Sequence, residues 1–207
     1  GSRADHRRPQ VHHAPSLTLG IIGAVCGRYA LKTDPKVIVN QLGVEHVAFA
    51  DGGLATPNAS TITPDNMPDS ALRPSYNVAP TQLVPAVFTP NDDATLALFQ
   101  WGLVPAWAKD PAIGTRMINA RVETVEEKPS FRSAVVKRRC LVPADGWFEW
   151  QHGAAGRKVP HYLSARDGAL LTFAGLYEKW TAPDGYVLWS VTVNLSGSMG
   201  GCQGLVN

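Results

Sequence analysis

Residues 138–151, RRCLVPADGWFEWQ, contain two strand-like segments, 139–142 and 147–151, which indicate a β-rich fold. Valine, leucine, tryptophan and phenylalanine favour extended backbone on a half-buried sheet. Successive side chains of a strand point to opposite faces, so Glu149 lies on the face opposite its two aromatic neighbours. A carboxylate at such a position points either to solvent or into a site, and the spacing leaves both open.

Further strand-like segments lie on both sides of this stretch, with turn signals rich in Pro, Asn, Asp and Gly between them. They cover residues 83–89, 95–101, 161–165, 170–177 and 186–193. Many short strands with few helices predict an α+β domain built around a curved antiparallel sheet or barrel.

Two short helices are predicted beside the strands. Residues 36–42 follow Asp34 as N-cap and Pro35 at the first helical position. Residues 130–137 carry apolar side chains at helical spacing. Residues 51–74 lack apolar periodicity and are rich in Gly, Thr, Asn and Pro, which predicts a surface loop.

Length and composition limit the protein to a few classes. A chain of 207 residues with 44% hydrophobic content is typical of one folded domain. No stretch approaches the roughly 20 consecutive apolar residues of a membrane helix, so no membrane association is expected.

Positive charge is concentrated in residues 116–139, where seven bases against three acids give a local net charge of +4. Such a patch fits an anionic partner such as nucleic acid. A solvated helix face is the more common origin of such a patch, and charge alone leaves both interpretations open. The bases are Arg116, Arg121, Lys128, Arg132, Lys137, Arg138 and Arg139.

The cysteines and histidines indicate neither a disulfide framework nor a metal site. Three cysteines without a CxxC motif favour a reducing cytoplasm. The histidines outside the N-terminal stretch, His46, His152 and His161, lack ligand spacing. No phosphate-binding glycine loop, GxSxG or HExxH motif occurs, so neither a metal nor a cofactor is expected.

The first 25 residues differ from the rest of the chain. They begin with Gly-Ser, as an expression tag does, and hold no initiator Met. We expect residues 1–25 to be a non-native or propeptide-like extension and residues 26–207 to be the domain. A secretory signal ending at Cys26 is disfavoured because its apolar run is interrupted and Val25 is bulky.

Five blocks stand in order along the chain: CGRYA (26–30), RPSYNVAP (73–80), WGLVPAW (101–107), INARVET (118–124) and RRCLVPADGWFEW (138–150). Together with Phe131 they resemble the successive motifs of the SRAP family, the SOS-response-associated peptidase-like proteins that process abasic sites in DNA. The resemblance extends from Cys26 to about Thr192.

The resemblance implies a covalent reaction with abasic sites in single-stranded DNA. Family members use the cysteine that opens CGR as their N-terminal residue, and its amine and thiol capture the ring-opened sugar as a thiazolidine. An α-amine has a pKa of about 7.7 to 8.0, so part of it is neutral at physiological pH. The resemblance also implies a monomer in the cytoplasm, associated with the nucleoid and with the SOS response, and lyase-like Schiff-base chemistry with self-cleaving peptidase activity.

Carried onto this chain, the resemblance implies three catalytic residues. Cys26 is the crosslinking residue, and Asn119 positions the amine or the sugar. Glu149 is the acid/base group for imine formation and for exposing the N-terminus.

It also implies four DNA-binding residues. Arg28 and Arg121 contact phosphates beside the lesion, and Asn77 lines the same pocket. Trp107 stacks on a neighbouring base, although packing in the core explains a tryptophan there equally well.

Two departures from the family pattern affect these expectations. Cys26 is internal, so its nitrogen is an amide unless the chain starts at a GUG codon for Val25 or is cut before Cys26. The resemblance implies a His-Asp-Arg-type segment after the strand 186–193, and this chain stops short of it, so we expect the domain to be C-terminally incomplete. His161 is a poor substitute in mid-strand, so slower crosslinking is expected. A cysteine-dependent peptidase and a non-covalent single-strand binder remain alternatives.

Overall fold

The computed structural model describes residues 27–51, 53–152 and 157–195 of the chain. In these ranges the chain forms two β-sheets and two short α-helices, α1 (Pro35–Gln41) and α2 (Arg132–Lys137). The strands are β1 (Tyr29–Leu31), β2 (His46–Ala50), β3 (Gly53–Leu54), β4 (Thr61–Ile62), β5 (Ser75–Val78), β6 (Leu83–Phe88), β7 (Thr95–Trp101), β8 (Asn119–Arg121), β9 (Arg139–Ala144), β10 (Gly146–His152), β11 (Lys158–Ser164), β12 (Leu171–Thr181) and β13 (Val187–Leu195). This β-rich architecture with short helices confirms the predicted α+β class.

The smaller sheet has four strands in the order β11-β10-β1-β5, all paired antiparallel. The larger sheet has nine, and its order runs β3-β2-β7-β6-β9-β12-β13-β8 with β4 beside β2. An additional pairing of β7 with β13 makes this second sheet curl around the core, and we call it the curved sheet.

The curved sheet is mixed rather than wholly antiparallel. Its parallel pairings are β2 with β7, β7 with β13, and β8 with β13. Parallel strands need a long crossover connection, so these partners lie far apart in the sequence. The alternation of single strands carries no signal for such pairing.

Helix α1 begins and ends as its sequence predicts. The Asp34 carboxylate accepts the amide of Lys36 at 2.7 Å, and Pro35 occupies the first helical position. Gly43 follows the helix with φ +60°, a conformation that favours glycine. At seven residues, this is the longest α-helix in the described ranges, and none of the helices there is long and apolar enough to cross a membrane.

The prediction of a surface loop over residues 51–74 is only partly correct, because most of the described side chains there are exposed but the backbone forms short strands. Strands β3 and β4 both pair with β2, and Met67 is only 2% exposed. A strand of two residues is too short to show periodicity, so it forms only where a neighbouring strand pairs with it.

Aromatic side chains join the two sheets in one core. Tyr29 of β1 is fully buried, and its ring lies 5.4 Å from Trp101 of β7 and 6.1 Å from Phe173 of β12, centroid to centroid. Trp147 of β10 contacts the same Phe173 at 5.9 Å. The smaller sheet therefore turns the face that carries Tyr29 and Trp147 towards the curved sheet.

Gly102 and Gly114 let two chain segments approach closely after β7. Gly102 has φ +125°, and a Cβ placed on it would lie 2.6 Å from the Gly114 carbonyl oxygen. The approach is tight because Leu103 donates its amide to Met117 at 3.1 Å, just before β8 begins. These contacts set the positions of the loop that carries Trp107 and of strand β8.

Candidate functional site

Strand β1 brings the start of the described chain beside Glu149. Tyr29 pairs with Trp147, and the Phe148 amide donates to the Arg28 carbonyl at 2.8 Å. Continuing this antiparallel register by one residue sets Gly27 opposite Glu149. Cys26, the predicted crosslinking residue, directly precedes Gly27 in the sequence and lies outside the described residues.

The Glu149 side chain faces the curved sheet and not open solvent. It lies two residues beyond Trp147 on β10 and so shares the face that contacts Phe173. The opposite face carries Phe148, whose ring contacts Tyr162 at 5.0 Å. The structure thus decides between the two orientations that the sequence left open.

Burial changes the acid strength of Glu149. Desolvation raises its pKa above the ordinary 4.5, and a hydrogen bond with the Trp147 side chain partly offsets this. Because an indole is only a donor, Trp147 stabilises the ionised carboxylate. The buried Oε1 has no hydrogen-bond partner among the described residues. A half-buried carboxyl with a raised pKa and a spare oxygen is suited to proton transfer.

Trp147 is a site residue that the sequence reasoning did not single out. Strand alternation could have identified Trp147, because it lies two positions before Glu149 and so shares the face of that carboxylate. The indole contact itself depends on rotamers that alternation does not predict.

Arg28 and Asn77 are brought together across the smaller sheet. The Arg28 Nη1 donates to Asn77 Oδ1 at 2.8 Å, linking β1 to β5. Asn77 is exposed and Arg28 is half-buried. This contact gives the guanidinium a defined position near the start of β1, with further N–H donors of its planar fork able to meet a phosphate.

Asn119 and Arg121 lie on β8, at the edge of the curved sheet. Asn119 pairs with Val193 of β13, and its Oδ1 is shielded from solvent. The preceding Ile118 accepts the Trp101 indole N–H at 2.9 Å, and Trp101 contacts Tyr29 of β1. Arg121 is exposed at the end of the strand. A short chain of contacts therefore connects β8 to the strand that leads to Cys26.

Trp107 lies in the loop between β7 and β8 with 59% of its side chain exposed. Packing in the core does not account for this residue. Its neighbour Ala108 is held by the Trp180 indole, which donates to the Ala108 carbonyl at 2.7 Å. An exposed ring on an anchored loop is suited to stacking on a flat ligand.

The basic segment 116–139 spans several elements and is not one helix face. Only Arg132 and Lys137 belong to α2. Arg138 donates to Glu178 at 2.7 Å, so one of the seven positive charges is neutralised inside the fold. The other six side chains are exposed.

Of the other histidines and cysteines, His161 lies beside Glu149, whereas Cys140 takes no part in the site. His161 lies mid-strand on β11 as predicted, directly opposite Glu149 in the pairing of β10 with β11. Cys140 is buried, which raises the pKa of its thiol and leaves it unreactive as a nucleophile. Cys202 lies outside the described residues, within which no three His, Cys, Asp or Glu side chains form a metal-binding cluster.

The fold and the site define a β-rich α+β protein in which a half-buried carboxyl lies beside the residues that precede a short strand, near an arginine–asparagine pair. The sequence model of the family described as SOS response associated peptidase (SRAP) matches residues 25–199. The chain belongs to this family, which confirms the resemblance carried by the five sequence blocks.

Curated relatives and solved structures agree with this assignment. Abasic site processing protein YoaM of Bacillus subtilis is 37% identical over 169 residues, covering 82% of this chain and 66% of the relative. Abasic site processing protein YMR114C of Saccharomyces cerevisiae is 32% identical over 177 residues, covering 81% of this chain and 47% of the relative. A crystal structure from Bacteroides thetaiotaomicron has a TM-score of 0.66 at 26% identity, covering 83% of this chain and 68% of that one. The chain thus spans about two thirds of the Bacillus protein and about half of the yeast one.

Proposed function

We propose that this protein recognises abasic sites in single-stranded DNA and joins itself to them covalently through Cys26. The observation that carries the proposal is the half-buried Glu149, whose pKa is raised, on the strand that pairs with β1. Continuing that register sets Glu149 opposite Gly27, the residue that follows Cys26. Two relatives that the chain matches over most of its length are named abasic site processing proteins, which supports the substrate class.

The reaction needs a free α-amine on Cys26. The neutral amine adds to the C1′ aldehyde of the ring-opened sugar, and loss of water gives an imine. The thiol sulfur then adds to the imine carbon while the thiol proton passes to the nitrogen, which closes a thiazolidine. Glu149 acts as the acid that protonates the departing hydroxyl and as the base that accepts the amine proton.

Binding uses charge and stacking and not base sequence. Arg28, held by Asn77, and Arg121 contact phosphates on the two sides of the lesion. Asn119 orients the amine or the sugar, and Trp107 stacks on the neighbouring base. Such contacts favour a flexible single strand bound by a monomer, and we infer a nucleoid-associated location in the cytoplasm from this substrate.

Residues 1–25 must be absent for this chemistry. We propose that the native chain starts at Cys26 or that Cys26, assisted by Glu149, cleaves the bond after Val25. Intact mass of the purified full chain, recorded before and after incubation, distinguishes the two. Loss of 25 residues supports self-cleavage, and an unchanged mass rules out efficient self-processing.

The central test uses the chain cut by a site-specific protease directly before Cys26. We expect a heat-stable band on a denaturing gel with an oligonucleotide that holds one abasic site, and no band with the intact oligonucleotide. Cys26→Ala should lose that band yet keep a band trapped by cyanoborohydride, because its amine still forms the imine. A shift only on native gels would favour a non-covalent binder. Cleavage of protein substrates without crosslinking would favour a peptidase.

A further inference from the structure

Asp145, in the bend between β9 and β10, is a buried carboxylate that the proposed chemistry does not use. It is 9% exposed, and no lysine or arginine of the described ranges forms an ion pair with it. A buried carboxylate without a cation is costly unless hydrogen bonds stabilise its charge. Its hydrogen bonds therefore indicate what it does.

All of those hydrogen bonds connect Asp145 to the segment that leaves β1. Its carboxylate accepts the backbone amide of Lys32, the amide of Thr33 at 3.0 Å and the Thr33 hydroxyl. Its own amide donates to the Ala30 carbonyl at 2.8 Å. One residue thus binds four polar groups spread over residues 30–33.

Strand β1 needs such an anchor because it is short. It has only three residues, two registered pairs with β10, and an irregular register with β5. A slip of one residue in a strand moves every side chain to the other face. The hydrogen bonds of Asp145 fix where β1 ends, and hence where the residues before Tyr29 lie along β10.

We propose that Asp145 is a positioning residue that holds β1 in register with β10 and so keeps Gly27, the residue after Cys26, opposite Glu149. This inference rests on the proposed function, since it assigns Asp145 a role in the same reaction. It predicts that Asp145→Asn weakens the contribution of Glu149 to catalysis. A general loss of stability would not produce that specific effect.

The first measurement tests the anchor on the full chain without DNA. Hydrogen exchange in Asp145→Asn should be about tenfold faster, or more, at the amides of Lys32, Thr33 and Phe148 than in the parent. The matched control is Glu178→Gln, which alters a buried carboxylate that accepts Arg138 at 2.7 Å and lies beyond the end of the β9–β12 pairing opposite to Asp145. Unchanged exchange of β1 in Asp145→Asn would overturn the proposal.

The second measurement is a double-mutant cycle on crosslinking, with the folded full chain cut before Cys26. In the parent, Glu149→Gln should slow crosslinking by a certain factor. In the Asp145→Asn background the same substitution should slow it by a factor about tenfold smaller, or less, because a displaced amine no longer benefits from the carboxyl. In the Glu178→Gln background, Glu149→Gln should slow crosslinking by the same factor as in the parent. If the crosslinking rate of the double variant falls by the product of the two single factors, the effects of Asp145→Asn and Glu149→Gln are independent, and the positioning role is overturned.

A milder pair of variants covers the case in which Asp145→Asn does not fold. Thr33→Val removes one of the donors to Asp145, and Thr33→Ser keeps it. The slowing of crosslinking by Glu149→Gln should be smaller in the Thr33→Val background than in the parent, and Thr33→Ser should restore the full slowing. The same slowing in both backgrounds would overturn the proposal. A parent chain that fails to crosslink overturns the proposed function and the role of Asp145 in it. If the amides of β1 are still protected from exchange in that chain, the strand is held in place and the failure lies in the chemistry.

Discussion

Each of the two sheets of this protein carries a glutamate shielded from solvent, and the two glutamates have different partners. In the curved sheet, Glu178 of β12 is 7% exposed and accepts Arg138 at 2.7 Å. In the smaller sheet, Glu149 of β10 pairs with no lysine or arginine of the described ranges, and burial raises its pKa. An ion-paired carboxyl of this kind stabilises the fold, whereas a carboxyl with a raised pKa and no cationic partner is a candidate for proton transfer. We therefore propose that Glu178 of the curved sheet serves stability and that Glu149 of the smaller sheet serves the reaction.

The sharpest test of this division is Glu149→Gln. We expect crosslinking to slow by about 10² to 10⁴, the usual contribution of a general acid or base, with the fold retained. Glu178→Gln should do the reverse, lowering the free energy of unfolding by about 2 kcal/mol through a lost charged hydrogen bond. Single-turnover crosslinking and urea unfolding of both variants make the comparison. If Glu149→Gln destabilises the fold as much as Glu178→Gln, the division between the sheets is wrong.

The pH dependence of stability gives the same variant a second readout. Glu149 has a folded-state pKa above its ordinary 4.5, so the unfolded chain releases this proton at lower pH than the folded chain. Stability contributed by the protonated carboxyl is present below 4.5 and is lost as the pH rises through the folded-state pKa. The stability of Glu149→Gln relative to the parent should therefore increase over that window. If the stability of Glu149→Gln relative to the parent decreases over that window, the pKa of Glu149 is not raised by burial.

Gly102→Ala tests the stabilising role of the curved sheet. The new Cβ would approach the Gly114 carbonyl oxygen to 2.6 Å at φ +125°, so we expect a loss of about 3 kcal/mol in the free energy of unfolding. Gly185→Ala is the matched control, since φ is +89° there but no atom lies within 4 Å, and it should lose only about 1 kcal/mol. Equal losses in denaturant unfolding would show that the close approach contributes nothing.

Trp107 tests whether the curved sheet also contributes to binding through its loops. Trp107→Ala should weaken binding of single-stranded DNA by about 1 to 3 kcal/mol and leave the unfolding free energy unchanged, because the ring is exposed. Trp107→Phe should keep most of the affinity, and Trp107→Leu should lose it, if a flat ring is required. Fluorescence anisotropy with a labelled oligonucleotide measures all three. Equal affinities for Phe and Leu would exclude stacking.

Arg28, which directly precedes β1 of the smaller sheet, and Arg121, at the end of β8 in the curved sheet, give the smallest expected effect. Each Ala substitution should reduce the slope of log affinity against log salt by about 0.7, the value for one phosphate contact with a single strand. Arg166→Ala, an exposed arginine in the turn between β11 and β12, is the control and should leave the slope unchanged. A reduced slope for only one of the two site arginines would confine the DNA path to that sheet.

The elements predicted best are those with strong local signals. Strand β7 has the predicted bounds, and α1 shows the predicted N-cap at Asp34. The strands β1, β5 and β8 were missed because each has three or four residues. These short strands carry Asn77 and Asn119 and lead to Cys26, so the site lies on the elements with the weakest local signal.

The sequence by itself determined the family, the β-rich class and the identity of the candidate residues, because motif order and the alternation of long strands are local properties of the chain. Only the tertiary structure decided that Glu149 faces inward, that Arg138 is neutralised and that Trp107 is exposed. Each of these outcomes depends on a partner distant in sequence, such as Phe173 for the face of β10 or Glu178 for Arg138. A side chain's chemistry follows from its identity, but its pKa and its exposure follow from what packs against it.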